Sequence, residues 1–197
     1  MLGWGTMTQR GLVLTHGRVR LRPPRPRDWR AWAALRARSR AFLTPWEPTW
    51  PEDALERTAF RRRLRHYAEE MRHGRGYTFL VFRAADGVLV GGISLMNVRR
   101  GVAQTGTLGY WIGAPYARQG YMSEALLAVL DFAFDRLGLH RVEAASLPHN
   151  VASQGLLRKA GFSEEGYARE YLRINGAWQD HVVFAILNHD PRGPGPV

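Results

Sequence analysis

The chain has 197 residues, 45% of them hydrophobic, which fits one compact domain with a substantial core. It contains no cysteine, which excludes disulfides, thiolate metal ligands and a cysteine nucleophile, and its seven histidines lack the paired spacing of a metal site. No apolar run approaches the length of a membrane span and no signal peptide is visible. We therefore expect a cytoplasmic protein with no metal and no membrane contact.

The formal net charge is +11, and much of the arginine excess falls in residues 18–40 and 57–75. Such a charge fits solvated helix faces, and it also fits contact with RNA or attraction of acidic ligands. The sequence has no RNA-binding motif and no ladder of alternating basic and aromatic residues. We therefore do not expect nucleic-acid binding to be the primary function.

The predicted domain covers residues 18–188. Residues 1–17 lack an apolar core segment and are predicted to be a flexible leader, and the Pro/Gly-rich residues 189–197 are predicted to be a flexible tail.

Apolar periodicity and turn signals then predict the elements in chain order. Strands are predicted at residues 19–22, 77–83, 88–98, 105–112, 141–147, 162–174 and 177–187. Helices are predicted at residues 28–42, 52–73, 123–137 and 150–160. Ser123 is the predicted N-cap of the third helix, and Asn175-Gly176 predicts a hairpin turn between the last two strands. This order predicts a mixed α/β (α+β) domain in which helices flank a mostly antiparallel central sheet.

The most informative segment is the strand, basic turn and helix at residues 109–127. The first turn of a helix carries unpaired N–H groups and a partial positive charge, which together attract anions. Arg118 adds a full charge beside them, and Gly120 allows a ligand to approach the backbone closely. This segment predicts a site for a phosphate-bearing ligand, with an ordinary strand-to-helix connection as the alternative.

A second segment, residues 149–162, has Asn150 to cap a short helix and Gly161 to end it. Together the two segments resemble the acetyl-CoA-binding motifs of the GNAT acyltransferase superfamily. The resemblance implies the GNAT fold, acetyl-CoA as a substrate and a backbone cradle for its diphosphate.

Further blocks resemble the Rim-type ribosomal-protein alanine N-acetyltransferases: FLTPWEP at 42–48, LPHN at 147–150, and the hairpin region 166–181. The similarity runs from about residue 19 to about residue 187. It implies an N-acetyltransferase that acts on the N-terminal alanine of a ribosomal protein. Direct transfer in a ternary complex is expected because no cysteine is available. A ribosome contact, and a monomer as opposed to a homodimer, are left open.

The resemblance also implies which residues contact acetyl-CoA. Backbone N–H groups of the strand before the basic turn would meet the pantetheine arm and the acetyl carbonyl, and those of the turn would hold the diphosphate. The implied residues are Trp111, Ile112, Gly113, Arg118, Gln119, Gly120, Met122, Ser123, Asn150 and Ser153. Two positions depart from the superfamily pattern, Ala117 in place of Arg or Gln and Met122 in place of Gly or Ala. Because the donors are backbone groups, both changes are tolerable if Met122 points away.

The usual general acid of the superfamily is missing, since Leu157 stands where many members have a tyrosine. Ser153, three residues after Asn150, is the Rim-type alternative. It would protonate the departing thiolate or hold a water that does.

Glu47 is the first candidate for the base, because the loop between the first two helices walls the acceptor site in this fold. Glu170 and Tyr171 are the alternatives, and strand alternation allows at most one of them to face the cleft. An α-amine has a pKa of about 8, against about 10.4 for lysine, so modest help from a carboxylate is enough. His149, Asp180 and His181 are interpreted as structural.

Two other functions remain open. One is an enzyme of the same fold that acetylates a small-molecule amine, such as an antibiotic or an aminoacyl compound. The other is a non-catalytic protein that binds CoA or the ribosome.

Overall fold

An eight-stranded sheet organises the protein, and the computed structural model describes residues 11–193. The strands are β1 (Leu14–His16), β2 (Val19–Arg22), β3 (Tyr77–Arg83), β4 (Leu89–Arg99), β5 (Thr105–Ile112), β6 (Arg141–Ser146), β7 (Ser163–Ile174) and β8 (Ala177–Leu187). The helices are α1 (Trp29–Arg38), α2 (Arg40–Leu43), α3 (Arg57–Arg72), α4 (Tyr121–Asp131) and α5 (Val151–Lys159), and a π-helical turn, Phe132–Arg136, extends α4.

The spatial order of the strands is β1-β2-β3-β4-β5-β6-β8-β7. Neighbouring strands are antiparallel except for β5 and β6, which are parallel because α4 carries the chain back across the sheet. The predicted fold, a mostly antiparallel sheet flanked by helices, is confirmed.

Helices cover both faces of the sheet, and strand alternation sends side chains to each. On one face, Phe79 of β3 packs in a large core with α4 and with Leu157 of α5. On the other, Leu80 and Phe82 pack with Trp32 of α1 and with α3. The middle of β5 is therefore sandwiched between α5 and α1.

Residues 11–17 differ from the expected flexible leader. Leu12 and Leu14 are 5% exposed, and β1 pairs with β2 in register from Leu14–Leu21 to His16–Val19. Two leucines are too short a signal to stand out in the sequence, and the strand becomes stable only by pairing and burial. Residues 1–10 lie outside the described residues.

Residues 189–193 are likewise in contact with the domain, although the sequence placed them in a flexible tail. Arg192 forms ion pairs with Asp131 and Asp135, and the N–H of Gly193 donates to the carbonyl of Ala160 at 3.3 Å. The remaining tail, residues 194–197, lies outside the described part of the chain.

The helix boundaries differ from the prediction in two places that matter for the site. The predicted helix 28–42 breaks at Ser39, whose buried hydroxyl accepts the N–H of Ala114 at 2.9 Å. Gly120, not Ser123, is the N-cap of α4, with φ of 85°, and Ser123 is its third residue. The left-handed backbone of Gly120 starts the helix three residues earlier than a side-chain cap at Ser123 would.

Candidate active site

The sheet opens between β5 and β6. Their pairing runs from Thr105 and Arg141 to Leu108 and Ala144 and then stops, although β5 continues to Ile112. We call the space beyond Leu108 the β5–β6 gap. It exposes one edge of residues 109–112 between the two layers of helices.

The direction of each backbone N–H in this segment follows from one hydrogen bond. The N–H of Gly113 donates to the carbonyl of Val90 in β4 at 2.8 Å. Because N–H directions alternate along a strand, that of Trp111 also points toward β4, whereas those of Tyr110 and Ile112 point into the gap. Of the three residues expected to bind the acetyl carbonyl, only Ile112 has a backbone N–H that points into the gap. Those of Trp111 and Gly113 point toward β4.

The turn before α4 lies at the end of this strand and offers further donors. The first hydrogen bond of the helix joins the N–H of Glu124 to the carbonyl of Gly120, so the N–H groups before Glu124 have no helical partner. Within residues 11–193, no backbone hydrogen bond uses the N–H groups of residues 118–123. Arg118 is exposed beside them, and the side chain of Met122 is buried, away from this surface. The basic turn, residues 118–123, therefore has the unpaired N–H groups and the adjacent positive charge that are typical of anion sites at helix N-termini.

Arg18, which the sequence did not suggest, also lies at this turn. Its guanidinium forms an ion pair with Glu124 at 2.5 Å and donates to the carbonyl of Gln119 at 2.9 Å. The side chain of Gln119 donates to the carbonyl of Pro115 at 2.8 Å and so braces the turn from within. No spacing in the sequence could have found Arg18, because its partners are about a hundred residues away.

The start of α5 forms the other wall of the gap. Asn150 caps the helix, its Oδ1 accepting the N–H of Ser153 at 3.1 Å. The Ser153 hydroxyl lies 2.8 Å from that of Tyr110 in β5. Burial raises the pKa of Tyr110 to about 12, an effect that the hydrogen bond with Ser153 partly opposes. Tyr110 is a second residue that sequence reasoning missed; the one signal was a polar aromatic residue in the strand that borders the gap.

The loop after α2 covers the opposite face of β5 and places Glu47 there. Both carboxylate oxygens of Glu47 accept hydrogen bonds from Arg36, at 2.8 and 2.5 Å, and one also accepts the indole N–H of Trp50 at 2.7 Å. The Arg36 guanidinium lies 4.3 Å from the ring centre of Trp50 and 4.9 Å from that of Trp111. Glu47 is thus linked to β5 through Arg36, beside the strand that borders the gap.

A model of the acetyltransferase (GNAT) domain matches residues 18–163, most of the chain. The chain belongs to the GNAT acetyltransferase family.

Two curated relatives of this GNAT protein extend over nearly its whole length. The probable N-acetyltransferase YjcK of Bacillus subtilis is 37% identical over 87% of this chain and 95% of its own length. The [ribosomal protein uS5]-alanine N-acetyltransferase of Escherichia coli is 36% identical over 90% of this chain and 91% of its own.

Two solved structures share the GNAT architecture. The ribosomal-protein-S5-alanine acetyltransferase of Vibrio fischeri superposes with a TM-score of 0.84 at 30% identity, covering 90% of this chain and 97% of that one. RimJ of Mycobacterium smegmatis, in complex with CoA-disulfide, gives a TM-score of 0.82 at 35% identity, covering 89% and 85%. CoA is therefore a ligand of a close structural neighbour.

The two other candidates for the base of this GNAT enzyme lie in a bulge of β7 between Ala168 and Leu172. Glu170 has φ of 47°, its N–H donates to Asp180 at 2.8 Å, and its side chain is exposed. The ring of Tyr171 lies 5.7 Å from that of His181 and so faces the sheet. The bulge interrupts the strand alternation on which the sequence reasoning relied.

The structure gives Asp180 and His149 structural contacts. Asp180 accepts the hydroxyl of Tyr167 at 2.7 Å as well as the N–H of Glu170, and these bonds hold the pKa of Asp180 below its usual value. The His149 ring lies 5.4 Å from that of Trp46, and this contact joins the loop after α2 to the residues before α5.

Within the part of the chain that the structure describes, no cluster of His, Asp or Glu could hold a metal ion. None of the helices between residues 11 and 193 has the length and apolar character needed to cross a bilayer.

Proposed function

We propose that the protein transfers the acetyl group of acetyl-CoA directly to the N-terminal α-amine of a protein, and that this acceptor is the N-terminal alanine of a ribosomal protein. The observation that carries the proposal is the β5–β6 gap along the edge of β5. The basic turn before α4, to which we assign anion binding, follows that strand, and the loop that holds Glu47 is linked to it through Arg36 and Trp111. The acceptor is inferred from the Escherichia coli and Vibrio fischeri relatives, whose names specify ribosomal-protein alanine acetylation.

The donor side uses mainly backbone groups. The N–H groups of residues 118–120, 122 and 123 hold the diphosphate, with Arg118 as a side-chain contact, and the side chain of Asn150 contacts the arm of CoA. The N–H of Ile112 points into the gap and stabilises the negative charge that develops on the acetyl oxygen. Because these donors belong to a strand and a helix, they need little reorganisation when the substrate binds.

The acceptor side uses Glu47. An α-amine with a pKa of about 8 is partly neutral at pH 7, so the enzyme needs only to orient it and to take its proton. Three hydrogen bonds from Arg36 and Trp50 occupy most of the lone pairs of Glu47 and leave room for one more donor. An incoming ammonium, or a water that carries its proton, is the donor that we assign to this place.

Attack of the amine forms the C–N bond, and collapse of the tetrahedral intermediate breaks the C–S bond and leaves the electron pair on sulfur. Ser153 provides a hydrogen bond to that sulfur. Direct transfer is supported by the absence of cysteine from the whole sequence, since the usual thioester-forming nucleophile is missing. We place this reaction in the cytoplasm, where ribosomal proteins are made.

The test measures CoA-thiol release with a peptide that begins with alanine, beside the same peptide with a blocked N-terminus and a free internal lysine. A thiol reagent reports CoA alone, because the protein has no cysteine. We expect turnover only with the free N-terminus, with the acetyl group located there by mass spectrometry. Turnover of the blocked peptide would overturn α-amine specificity, and binding of acetyl-CoA without turnover of either would favour a small-molecule acceptor or a non-catalytic role.

A further inference from the structure

A hydrogen bond between Tyr110 and Ser153 spans the β5–β6 gap. Tyr110 lies two residues beyond Leu108, where the pairing of β5 with β6 ends, and Ser153 lies in the first turn of α5. Their hydroxyl oxygens are 2.8 Å apart, and the carbonyl oxygen of Ser153 is at 3.5 Å, the limit of a hydrogen bond. The side chain of Ser153 thus meets that of a strand residue whose own N–H points into the gap.

The chemistry of the two hydroxyls favours one direction for this bond. A phenol is a stronger acid than an alcohol and is therefore the better donor, and conjugation with the ring makes its oxygen the poorer acceptor. When the hydroxyl of Tyr110 donates its hydrogen bond to Oγ of Ser153, the hydroxyl hydrogen of Ser153 is free to point to a different acceptor. The backbone of Ser153 is itself fixed, because Asn150 accepts its N–H.

We propose that Tyr110 is a positioning residue, which donates its hydrogen to Oγ of Ser153 and so directs the hydrogen of Ser153 toward the sulfur of CoA. This inference deepens the proposed function and rests on it. The chain of donors ends at the thiolate that forms when the C–S bond breaks, and each bond in such a chain strengthens the next. The amine proton leaves on the acceptor side through Glu47 or water, and the thiolate takes a proton from solvent after it is released.

Tyr110 does not itself supply that proton. Its pKa of about 12 lies well above the value of about 8.5 that is usual for a thiol. Transfer from Tyr110 to the thiolate would be uphill and would leave a phenolate in a buried place. A neutral phenol that keeps its proton is the state that orients Ser153.

The experiment is a pH titration of the CoA thiol bound to the protein, followed by the ultraviolet absorbance of the thiolate. The protein contributes no thiol, because it has no cysteine, and an excess of protein over CoA keeps the CoA thiol in the bound state. Hydrogen bonds to a thiolate lower its pKa, so we expect the pKa of the bound thiol to rise by about one unit in Tyr110→Phe and in Ser153→Ala. In the double variant, we expect no further rise beyond that of Ser153→Ala.

Tyr77→Phe is the matched control, because Tyr77 is a buried tyrosine of β3 that packs on Phe132 in the core. It should leave the pKa of the bound thiol at the wild-type value. CoA affinity, measured by calorimetry, checks that each variant still binds. An unchanged thiol pKa in Tyr110→Phe, or an additional rise when Tyr110→Phe is combined with Ser153→Ala, would overturn the proposal.

The titration needs no acceptor, so it stays informative if the proposed acceptor is wrong. With an acceptor that turns over, Tyr110→Phe should lower kcat about tenfold and change the KM for acetyl-CoA less than twofold. When Tyr110→Phe is added to Ser153→Ala, we expect no further fall in kcat. A fall in wild-type kcat at alkaline pH that Tyr110→Phe abolishes would instead make Tyr110 the proton donor and contradict a positioning role.

Discussion

At the residue scale, the position of a partly buried polar side chain in this protein is fixed by the partner that it contacts across the fold. Glu47 shows this most clearly, because Arg36 and Trp50 hold its carboxylate in one place, and the rings of Trp50 and Trp111 hold Arg36. A carboxylate held in this way has little freedom to move, which favours catalysis only if the acceptor amine arrives at its remaining lone pair.

Glu47→Gln tests whether Glu47 takes the amine proton. It keeps the shape of the side chain and removes its charge, so we expect turnover to fall about 10²-fold below the α-amine pKa of about 8, and less above it, where the amine is already neutral. The measurement is kcat/KM against pH. Glu165→Gln serves as the control, since Glu165 is an exposed residue that pairs with Arg141. An equal loss at every pH would indicate amine binding and contradict the role as a base.

The ionisation of Tyr110 makes the free energy of unfolding depend on pH in the alkaline range. Its pKa is raised from 10.0 to about 12 in the folded protein, so the folded state holds the proton more tightly than the unfolded state. The resulting stabilisation is complete below pH 10 and is lost as pH rises toward 12, by about 2–3 kcal/mol. Urea unfolding of wild type and Tyr110→Phe at both ends of this range should show the smaller loss in Tyr110→Phe. Equal losses would show that Tyr110 ionises as freely in the folded state as in the unfolded one.

At the element scale, both the β5–β6 gap and the basic turn before α4 result from backbone geometry. The gap exists because β5 and β6 separate after Leu108, and the N–H groups of the basic turn are unpaired because Gly120 starts α4 in a left-handed conformation. A Cβ at Gly120 would lie 2.9 Å from the guanidinium of Arg18 and would project beside the donors of the turn. This position therefore affects both stability and ligand binding.

Gly120→Ala separates these two effects when it is compared with Gly138→Ala. Both glycines have positive φ, 85° and 63°, but a Cβ at Gly138 would have no neighbour within 4 Å. Both variants should lose about 1 kcal/mol of stability to backbone strain. Only Gly120→Ala should also bind acetyl-CoA more weakly, by about tenfold or more in calorimetry, because the methyl group keeps the diphosphate from the amides. Equal affinities of the two variants would argue against a diphosphate at this turn.

Local signals in the sequence were enough to predict strands β2 to β8, but not β1. Alternation marked β2, Asn175-Gly176 marked the last hairpin, and Gly120 with Arg118 marked the turn before α4, where anion binding stays a prediction. The contacts of Arg18 and Tyr110 could not be predicted, because Glu124 and Ser153 reach them only through the topology of the sheet. The bulge at Glu170 was missed for a related reason, since no local residue pattern predicts a glutamate with a left-handed backbone conformation.

At the scale of the whole molecule, the sheet extends further toward the N-terminus than the sequence suggested. Leu12 and Leu14 complete the core under α4, and Arg18 in the next turn reaches the start of the same helix. The N-terminal segment is therefore part of the domain and supports the basic turn before α4.

Leu14→Ala and Val13→Ala form a matched pair for this conclusion. Leu14 is 5% exposed and Val13 is 38% exposed, although the two are adjacent. Removing the buried side chain should cost about 3 kcal/mol of unfolding free energy, and removing the exposed one less than about 0.5 kcal/mol. Chemical denaturation measures both. Similar small losses in both variants would indicate that residues 11–17 are a flexible leader.

The tip of the β7–β8 hairpin is joined to the loop after α2, since the N–H of Asn175 donates to the carbonyl of Glu47 at 2.9 Å. We therefore expect these two stretches, which are far apart in sequence, to act as one structural unit. A substitution that reshapes the loop should change the support of the hairpin, so a change of acceptor should require changes in both. Chimaeras in which only the loop is exchanged between relatives should lose activity. Exchange of the loop together with the hairpin tip should restore it.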